Sequence, residues 1–201
     1  MLLASGVKTN YEIVPIIIDP DGANGDLNLT KSLLETYQKI SDEVKDNSSE
    51  QFFKNSMMTL GSVIDGDTSD NYVVDIAGLD GGISFRDYIG FNNLGRNHQH
   101  FLGTLFSDAN LDLNLEVGFK GNPNIGSVVL NAFVKSDTFK NFANTFGEND
   151  RIFVIGSIFG GTGAAGLPLM VKNFRNGNIG GKFYAHIQDA VIGSLLVQPY
   201  F

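Results

Sequence analysis

The chain of 201 residues is 42% hydrophobic and 18% charged, so it has enough apolar material for a folded core, and one domain is expected at this length. Its formal charge of −8 at pH 7 argues against binding of nucleic acid or anionic lipid through bulk charge. The lack of cysteine excludes disulfides, iron–sulfur clusters and thiolate zinc sites. No apolar run approaches the ~20 residues that span a bilayer, and we expect a cytoplasmic protein.

The first half of the chain combines apolar runs with one clear helical pattern. The segment 11–19 is apolar and β-branched at nearly every position, which predicts a strand over 13–18 of the kind found in parallel sheets. After a polar break, apolar residues recur at helical spacing and predict a helix over 27–44. A second helix is expected over about 50–60. The other elements predicted in this half are a short strand and two helical pieces: 72–78, 84–90 and 96–106.

The second half contains a fully apolar run at 151–159 and a second apolar run near its end, which predict buried strands over 152–157 and 192–197. A glycine-rich segment and a helix over 167–175 lie between them. The alternating segment 111–119 predicts a further strand over 113–118. Two helices are expected to follow it, over 124–133 and 137–146. This order is typical of an α/β fold, with a doubly wound, mainly parallel sheet that contains the strands at 13–18, 113–118, 152–157 and 192–197 and has helices on both faces.

Four residues of the glycine-rich segment form the strongest candidate site: Gly160, Gly161, Thr162 and Gly163. Where a strand leads through glycines into a helix, backbone N–H groups and the positive end of the helix dipole point to one place, which favours phosphate. Glycine lets an anion approach those N–H groups, and the Thr162 hydroxyl adds a donor. A tight strand-to-helix turn without a ligand is the alternative interpretation.

Two common phosphate-binding patterns fit this segment poorly. Gly161, Gly163 and Gly166 match the Gly-x-Gly-x-x-Gly dinucleotide pattern, but the pattern requires an acidic residue at the end of the next strand. That strand is followed by Gln198 and Pro199. A Walker loop is excluded because no Lys-Ser/Thr pair follows the last glycine.

Carboxylates cluster after the first predicted strand, where Asp19, Asp21 and Asp26 accompany Asn24. Oxygen ligands grouped in this way suit Mg²⁺, and Asp21 is the predicted metal ligand. The alternative is a turn whose side chains cap the following helix, which we favour for Asp26.

Histidines and phenylalanines are interpreted as structural. His98 and His100 are two residues apart, a spacing that suits a metal only on a strand, and we expect them at the surface. His186 is predicted to be partly buried. The phenylalanines of the segment 139–146 are expected in the core rather than in a stacking platform for bases.

Three ordered segments resemble the tubulin/FtsZ superfamily. The segment 150–168, DRIFVIGSIFGGTGAAGLP, is similar to the family signature, in which a strand leads into a GGGTG[ST]G loop and a proline opens the next helix. The segment 121–126, GNPNIG, resembles the family's Gly-x-Asn-Pro-x-x-Gly loop, and LLVQPYF at 195–201 resembles a strand ending in Lys-Pro-Phe. The chain is most similar to divergent bacterial tubulin-like proteins. It departs from the signature at Phe159, Ala164 and Ala165, which replace a glycine, a Ser/Thr and a glycine.

The resemblance implies binding of a purine nucleotide, GTP or GDP, together with Mg²⁺, in a cytoskeletal protein. The residues implied in holding the α- and β-phosphates are Gly160, Gly161, Thr162, Gly163 and Ala164. Those implied in closing over the terminal phosphate are Gly121, Asn122 and Pro123, and Asp19 and Asp21 would lie near the magnesium ion.

The resemblance also implies a single nucleotide-binding domain that is incomplete at both ends. The family's first strand and its glycine-rich loop would precede Met1, and its base-stacking residues and acidic hydrolytic loop would follow Phe201. We therefore expect no catalytic residue and no hydrolysis from this chain alone, with head-to-tail self-association only in a longer chain. The alternatives are an assembly module that keeps the fold without nucleotide turnover, and a nicotinamide-dependent oxidoreductase based on the dinucleotide pattern.

Overall fold

The computed structural model describes residues 7–44, 53–64, 72–74, 76, 78–79 and 81–199. Contacts divide the chain into two compact units. Unit 1 comprises Met1–Ile18 and Gly22–Val74, and unit 2 comprises Asp19–Asp21 and Asp75–Phe201. The fold is mixed α/β, and within the described residues its longest paired strands lie in unit 2.

Unit 1 contains a long helix, α1 (Gly25–Val44), and a short one, α2 (Leu60–Val63). The helix predicted over 27–44 is thus confirmed. The segment predicted as a strand over 13–18 is extended, but it forms only isolated parallel bridges, from Ile13 to Met57 and from Ile17 to Val73. The strand predicted over 72–78 is represented, among its described residues, by the bridge at Val73. The rest of that prediction lies partly outside the described residues.

The helix predicted over about 50–60 is wrong for its described part, because residues 53–59 are not helical. The Asn55 side chain accepts a hydrogen bond from the Thr9 N–H and donates one to the Val7 carbonyl, both at 2.7 Å. The Met58 N–H donates to the Ile13 carbonyl at 2.9 Å. These bonds to a distant segment hold the backbone extended, and a local pattern cannot reveal them. Residues 50–52 lie outside the described residues.

Unit 2 contains short and medium helices and a two-stranded parallel sheet. Its helices are α3 (Phe85–Tyr88), α4 (Arg96–Leu105), α5 (Asp108–Leu111), α6 (Pro123–Phe133), α7 (Asp137–Thr145), α8 (Gly161–Asn176) and α9 (Ala185–Gln188), and its strands are β1 (Arg151–Ser157), β2 (Asn178–Ile179), β3 (Lys182–Phe183) and β4 (Val191–Val197). The helices predicted around 84–90, 96–106, 124–133 and 137–146 are confirmed by α3, α4, α6 and α7.

The sheet pairs β1 with β4 in parallel, with Ile152 opposite Ile192 and Gly156 opposite Leu196. Both strands lie where they are predicted, over 152–157 and 192–197. Their predicted burial is wrong, because no residue of either strand is buried, and Phe153 and Ile155 are 65% and 67% exposed. Within the described residues this sheet has only two strands, which leaves their side chains largely uncovered. The connection between them contains α8, as a parallel pair requires a crossover. Helix α8 packs on β1 at Gly156, where an added methyl group would stand 3.3 Å from Leu167 Cβ. On its other side α8 contacts α6.

The strand predicted over 113–118 is wrong, because residues Leu115–Val117 form a turn of 3-10 helix. The Asn114 side chain accepts a hydrogen bond from the Glu116 N–H at 2.9 Å. Such local bonds from Asn compete with strand pairing. Gly118 then adopts a φ of 79°, which turns the chain away from the extended direction. Of the apolar residues of this segment, Leu111, Leu115 and Phe119 are buried and Val117 is 43% exposed, so burial recurs every four residues and not every two as in a strand.

Phenylalanines build the core between α7 and α8. The ring of Phe139 stacks on Phe174 at a centroid distance of 5.7 Å, and Phe142 contacts the same ring at 5.9 Å. Phe139 and Phe174 are 4% and 7% exposed, which confirms their structural role. Among the helices of the described segments, none has the length and apolarity needed to cross a membrane.

Candidate functional site

The glycine-rich segment lies where β1 ends and α8 begins. Helix α8 starts at Gly161, so the prediction of a helix from 167 placed its start too late. Gly161, Thr162, Gly163 and Ala164 therefore form the first turn of the helix rather than a free loop. The prediction treated Pro168 as the helix start, whereas this proline lies inside α8, where it removes one backbone hydrogen bond.

Close packing explains why residues 161 and 163 are glycines. A methyl group on Gly161 would stand 2.5 Å from Phe119 Cβ and 3.1 Å from the Asn122 carbonyl oxygen. A methyl group on Gly163 would stand 2.5 Å from the Ser157 carbonyl oxygen. Real Cβ atoms do not approach other heavy atoms so closely, so each glycine allows a contact that any other residue would break.

The same contact brings the two predicted loops together. The backbone of Asn122 lies against Gly161, and α6 and α8 approach so closely that a methyl group on Gly126 would stand 2.8 Å from the Gly161 carbonyl oxygen. Helix α6 starts at Pro123 and α8 starts at Gly161. The N-termini of both helices therefore lie side by side, and their dipoles add a positive potential at one place.

Gly160 differs from its neighbours, because nothing lies within 4 Å of a methyl group added to it. It is the residue before α8, with a φ of −112° and no side-chain cap. Neither packing nor backbone conformation requires a glycine here. Gly121 is also open, but its φ of +75° favours glycine by itself.

The start of α8 presents hydrogen-bond donors without acceptors. Within the described residues, no acceptor is found for the backbone N–H groups of Gly161, Thr162 and Gly163. A helix always leaves such groups in its first turn, and Ser, Thr, Asp or Asn usually caps them. Gly160 cannot do so, and these N–H groups can donate to an anion.

At the start of α6, the side chain of the capping residue Asn122 already accepts hydrogen bonds from the free backbone N–H groups. Asn122 Oδ1 accepts hydrogen bonds from the Asn124 and Ile125 N–H groups at 3.1 and 3.3 Å. Pro123 has no N–H and occupies the first helical position, where proline is favoured. The Asn122 Nδ2 group has no acceptor in the described part of the chain, so Asn122 and not the helix backbone supplies the donor from this loop.

Two residues of the site were missed by sequence reasoning. Phe119, 1% exposed, lies between the two helix starts, with its Cβ near Gly161 and its ring near Gly126. Lys120 follows it with a φ of 43°, the one positive φ of a non-glycine residue among the described residues. Lys120 adds a positive charge to the segment that leads from Phe119 to the start of α6, which favours anions further. The sequence contained a signal for Lys120, because it is the one cation of the segment KGNPNIG and directly precedes the loop predicted to close over the terminal phosphate.

The acidic residues predicted near the magnesium ion lie close to the start of the loop that contains Gly121. Asp21 Cβ would be 3.7 Å from a methyl group added to Gly118, three residues before Gly121. Asp19 Oδ1 accepts a hydrogen bond from the Asp21 N–H at 3.0 Å. Burial raises the pKa of the Asp19 carboxyl; the Asp21 charge adds to the rise, and the hydrogen bond opposes it. Because Asp19 already holds the turn, Asp21 is the better ligand.

These carboxylates do not form a complete metal site. Among the described residues, no group of three or more His, Asp or Glu side chains could hold a metal ion. His98 and His100 lie on α4 and are exposed, as predicted, and His186 is partly buried in α9. A magnesium ion here would need ligands from phosphate oxygens and water besides Asp21, which is usual for Mg²⁺ at nucleotide sites.

Comparisons of the chain with protein-family models, with curated proteins and with solved structures gave no match.

Proposed function

We propose that this protein binds a purine nucleotide through its phosphates at the adjoining starts of α6 and α8, in the manner of the tubulin/FtsZ superfamily. The observation that supports this most is the contact of the Asn122 backbone with Gly161. It joins two loops, each of which resembles a phosphate loop of that family, although they are separated along the sequence.

Each residue of the site has a distinct role in this proposal. The N–H groups of Gly161, Thr162 and Gly163, beside open Gly160 and followed by Ala164, donate to the α- and β-phosphates. The Asn122 amide, in the loop with Gly121 and Pro123, donates to the terminal phosphate, and Lys120 offsets its charge. Asp21, steadied by Asp19, contacts a magnesium ion bound to the phosphates. The preference for guanine, and so for GTP and GDP, rests on the family resemblance alone.

The finer description of the fold belongs to the same proposal. A doubly wound, Rossmann-like sheet extends the β1–β4 pair, and a longer chain assembles head to tail in the cytoplasm as a cytoskeletal filament. Hydrolysis of GTP by this chain is negligible in this proposal, because phosphoryl transfer depends on positioning and charge stabilisation, and both carboxylates assigned to the site, Asp19 and Asp21, serve the metal ion.

Calorimetric titration with GTP, GDP, ATP and NAD in the presence of Mg²⁺ tests the proposal. We expect binding of guanine nucleotides, loss of binding in Gly160→Val, and unchanged binding in Gly103→Val. Gly103 is the matched control, since it is likewise a glycine with nothing within 4 Å of an added methyl group. Absence of binding for all four ligands would contradict the proposal, and NAD binding alone would favour the oxidoreductase.

The alternative, an assembly module without nucleotide turnover, is favoured by the Asn122 cap. A helix start satisfied by its own side chain needs no ligand for stability. In that case no nucleotide raises the melting temperature. A nucleotide that binds the folded state must raise it by mass action, so the same melting experiment separates the two functions.

A further inference from the structure

A pocket of about 470 Å³ lies at the carboxyl ends of α6 and α8, at the opposite end of these helices from the glycine-rich segment. This volume is within the range of small-molecule sites. The polar side chains of its lining are four asparagines and two lysines: Asn131, Asn173, Asn176, Asn178, Lys135 and Lys140. Among the described residues that line it, Val134 is the one with an apolar side chain and none is acidic. The pocket therefore suits a polar ligand.

The asparagine side chains of the pocket are available to a ligand. Those of Asn131, Asn176 and Asn178 have no hydrogen-bond partner within the described part of the chain. Asn173 Nδ2 donates to the Leu169 carbonyl at 2.8 Å, which holds this side chain in place while its oxygen can still accept. A carboxamide both donates and accepts hydrogen bonds, as a hydroxyl group does. Several carboxamides around one cavity therefore favour a ligand with several hydroxyl groups.

The two lysines of the pocket differ in the charge that they offer. Lys140 Nζ pairs with Asp137 Oδ1 at 2.8 Å, so most of its charge is offset within the chain. Lys135 has no acidic partner among the described residues. One unpaired ammonium group at the pocket favours a ligand with one negative charge.

The surroundings of the pocket do not oppose such a charge. A helix end is negative because its last carbonyl groups lack donors, but here the Phe133 carbonyl accepts from the Ser136 N–H and the Phe174 carbonyl accepts from the Gly177 N–H. These bonds weaken the negative end of each helix. Residues 120–201 contain seven Lys and Arg against four Asp and Glu, although the whole chain carries a formal charge of −8.

The β2–β3 hairpin forms a fixed wall of the pocket. Gly180 and Gly181 join its strands with φ values of 59° and 85°, and positive φ is what a two-residue hairpin turn requires. Ile179, 1% exposed, anchors the hairpin in the core. A methyl group on Gly180 would stand 2.5 Å from Lys140 Cγ, so the stem of Lys140 packs against the turn. A wall that is formed in advance spares a ligand the cost of ordering it.

Going beyond the nucleotide site, we propose that this pocket binds a small hydroxylated monoanion of the class of the sugar acids. The carboxylate contacts the ammonium group of Lys135, and the hydroxyl groups exchange hydrogen bonds with the asparagine side chains. Affinity is in the millimolar range, because one charge contact and a few hydrogen bonds near solvent must offset the lost freedom of the ligand. The pocket shares no residue with the starts of α6 and α8, so this proposal does not depend on nucleotide binding.

Nuclear magnetic resonance titration of the isotope-labelled chain with glucuronate at constant ionic strength tests the proposal. We expect shifts of the Gly180 and Gly181 amide signals and of the asparagine side-chain signals, with weaker binding of glucose and of acetate. Lys135→Met should raise the dissociation constant for glucuronate about fivefold or more and leave that for glucose unchanged. Lys172→Met is the matched control, because Lys172 is likewise exposed, lies on α8 and is outside the lining. This variant should bind glucuronate like the parent chain.

A second variant tests the hydroxyl contacts. Asn131 is exposed in the last turn of α6, so Asn131→Ala should keep the fold, which the spectrum itself reports, and should weaken the binding of both glucuronate and glucose. Four outcomes would each overturn the proposal: no shift with glucuronate, glucose binding as tightly as glucuronate, acetate binding as tightly as glucuronate, or equal loss of binding in Lys135→Met and Lys172→Met.

Discussion

The contact between α6 and α8 predicts that two helical glycines of unit 2 respond to alanine with opposite signs. Gly126 lies inside α6 and Gly103 inside α4. Each gains about 0.5–1 kcal/mol of helix propensity on replacement by alanine. At Gly103 nothing lies within 4 Å of the new methyl group, so only the gain remains.

At Gly126 the new methyl group would meet the Gly161 carbonyl oxygen at 2.8 Å, the Phe119 ring at 2.9 Å and Ala165 Cβ at 3.0 Å. Two of these neighbours are backbone or Cβ atoms, which cannot rotate away. Forced packing of this kind costs about 1–3 kcal/mol. The clash therefore exceeds the propensity gain, and we expect Gly126→Ala to lower the free energy of unfolding by about 1–2 kcal/mol.

Thermal melting followed by circular dichroism measures both variants against the parent chain. Each kcal/mol shifts the melting temperature by ~2–4 °C for a chain of this size. We expect a rise of a few degrees for Gly103→Ala and a fall of a few degrees for Gly126→Ala. Since both glycines lie in unit 2, the two shifts report on the same unit. A Gly126→Ala variant as stable as Gly103→Ala would refute the close approach of the two helices and with it the geometry of the site.

Three further predictions follow from single contacts. Asn122→Asp keeps an oxygen that caps α6 but adds a negative charge and removes the amide donor, so melting temperature should hold while nucleotide binding measured by calorimetry is lost. Burial raises the pKa of the Asp19 carboxyl above 3.8, so its ionisation lowers the stability of the fold as the pH rises from about 3.8 through the raised pKa. Asp19→Asn removes this loss, so it should raise the melting temperature at pH 7 and leave it unchanged below about pH 3.8. Phe174→Ala should lower the free energy of unfolding by about 3–5 kcal/mol in urea titration, whereas Phe101→Ala, at a position that is 62% exposed, should change it by less than ~0.5 kcal/mol.

Elements with local causes were predictable from the sequence. Strands β1 and β4 are mainly apolar runs, and α1, α6 and α7 show helical periodicity. Capping residues such as Ser136, which accepts a hydrogen bond from the Phe139 N–H, support the helices further. Elements determined by distant partners were not. Residues 53–59 are held extended by bonds from Asn55 to Val7 and Thr9, and nothing near Asn55 in the sequence indicates those acceptors and donors.

The site was predictable as two loops but not as packed atoms. Glycine density and the Asn-Pro pair marked both loops, because these residues have strong local preferences. The part played by Phe119 could not be predicted, since a buried phenylalanine has no local pattern that distinguishes a wedge between two helices from ordinary core. The late start assigned to α8 has a similar origin, as the glycines of its first turn are poor helix formers that the packing of α6 makes necessary.

The glycines of the site therefore carry unequal information about a ligand. Gly161, Gly163 and Gly126 are required by close packing alone, so a variant such as Gly161→Val would lose binding merely by displacing α6 from α8. Gly160 has open space around it and a φ of −112°, so the fold does not require a glycine there. An anion that must reach the N–H groups of α8 does require one. Loss of nucleotide binding in Gly160→Val with unchanged melting temperature would consequently reflect the ligand rather than the fold, which makes this position the most informative of the loop.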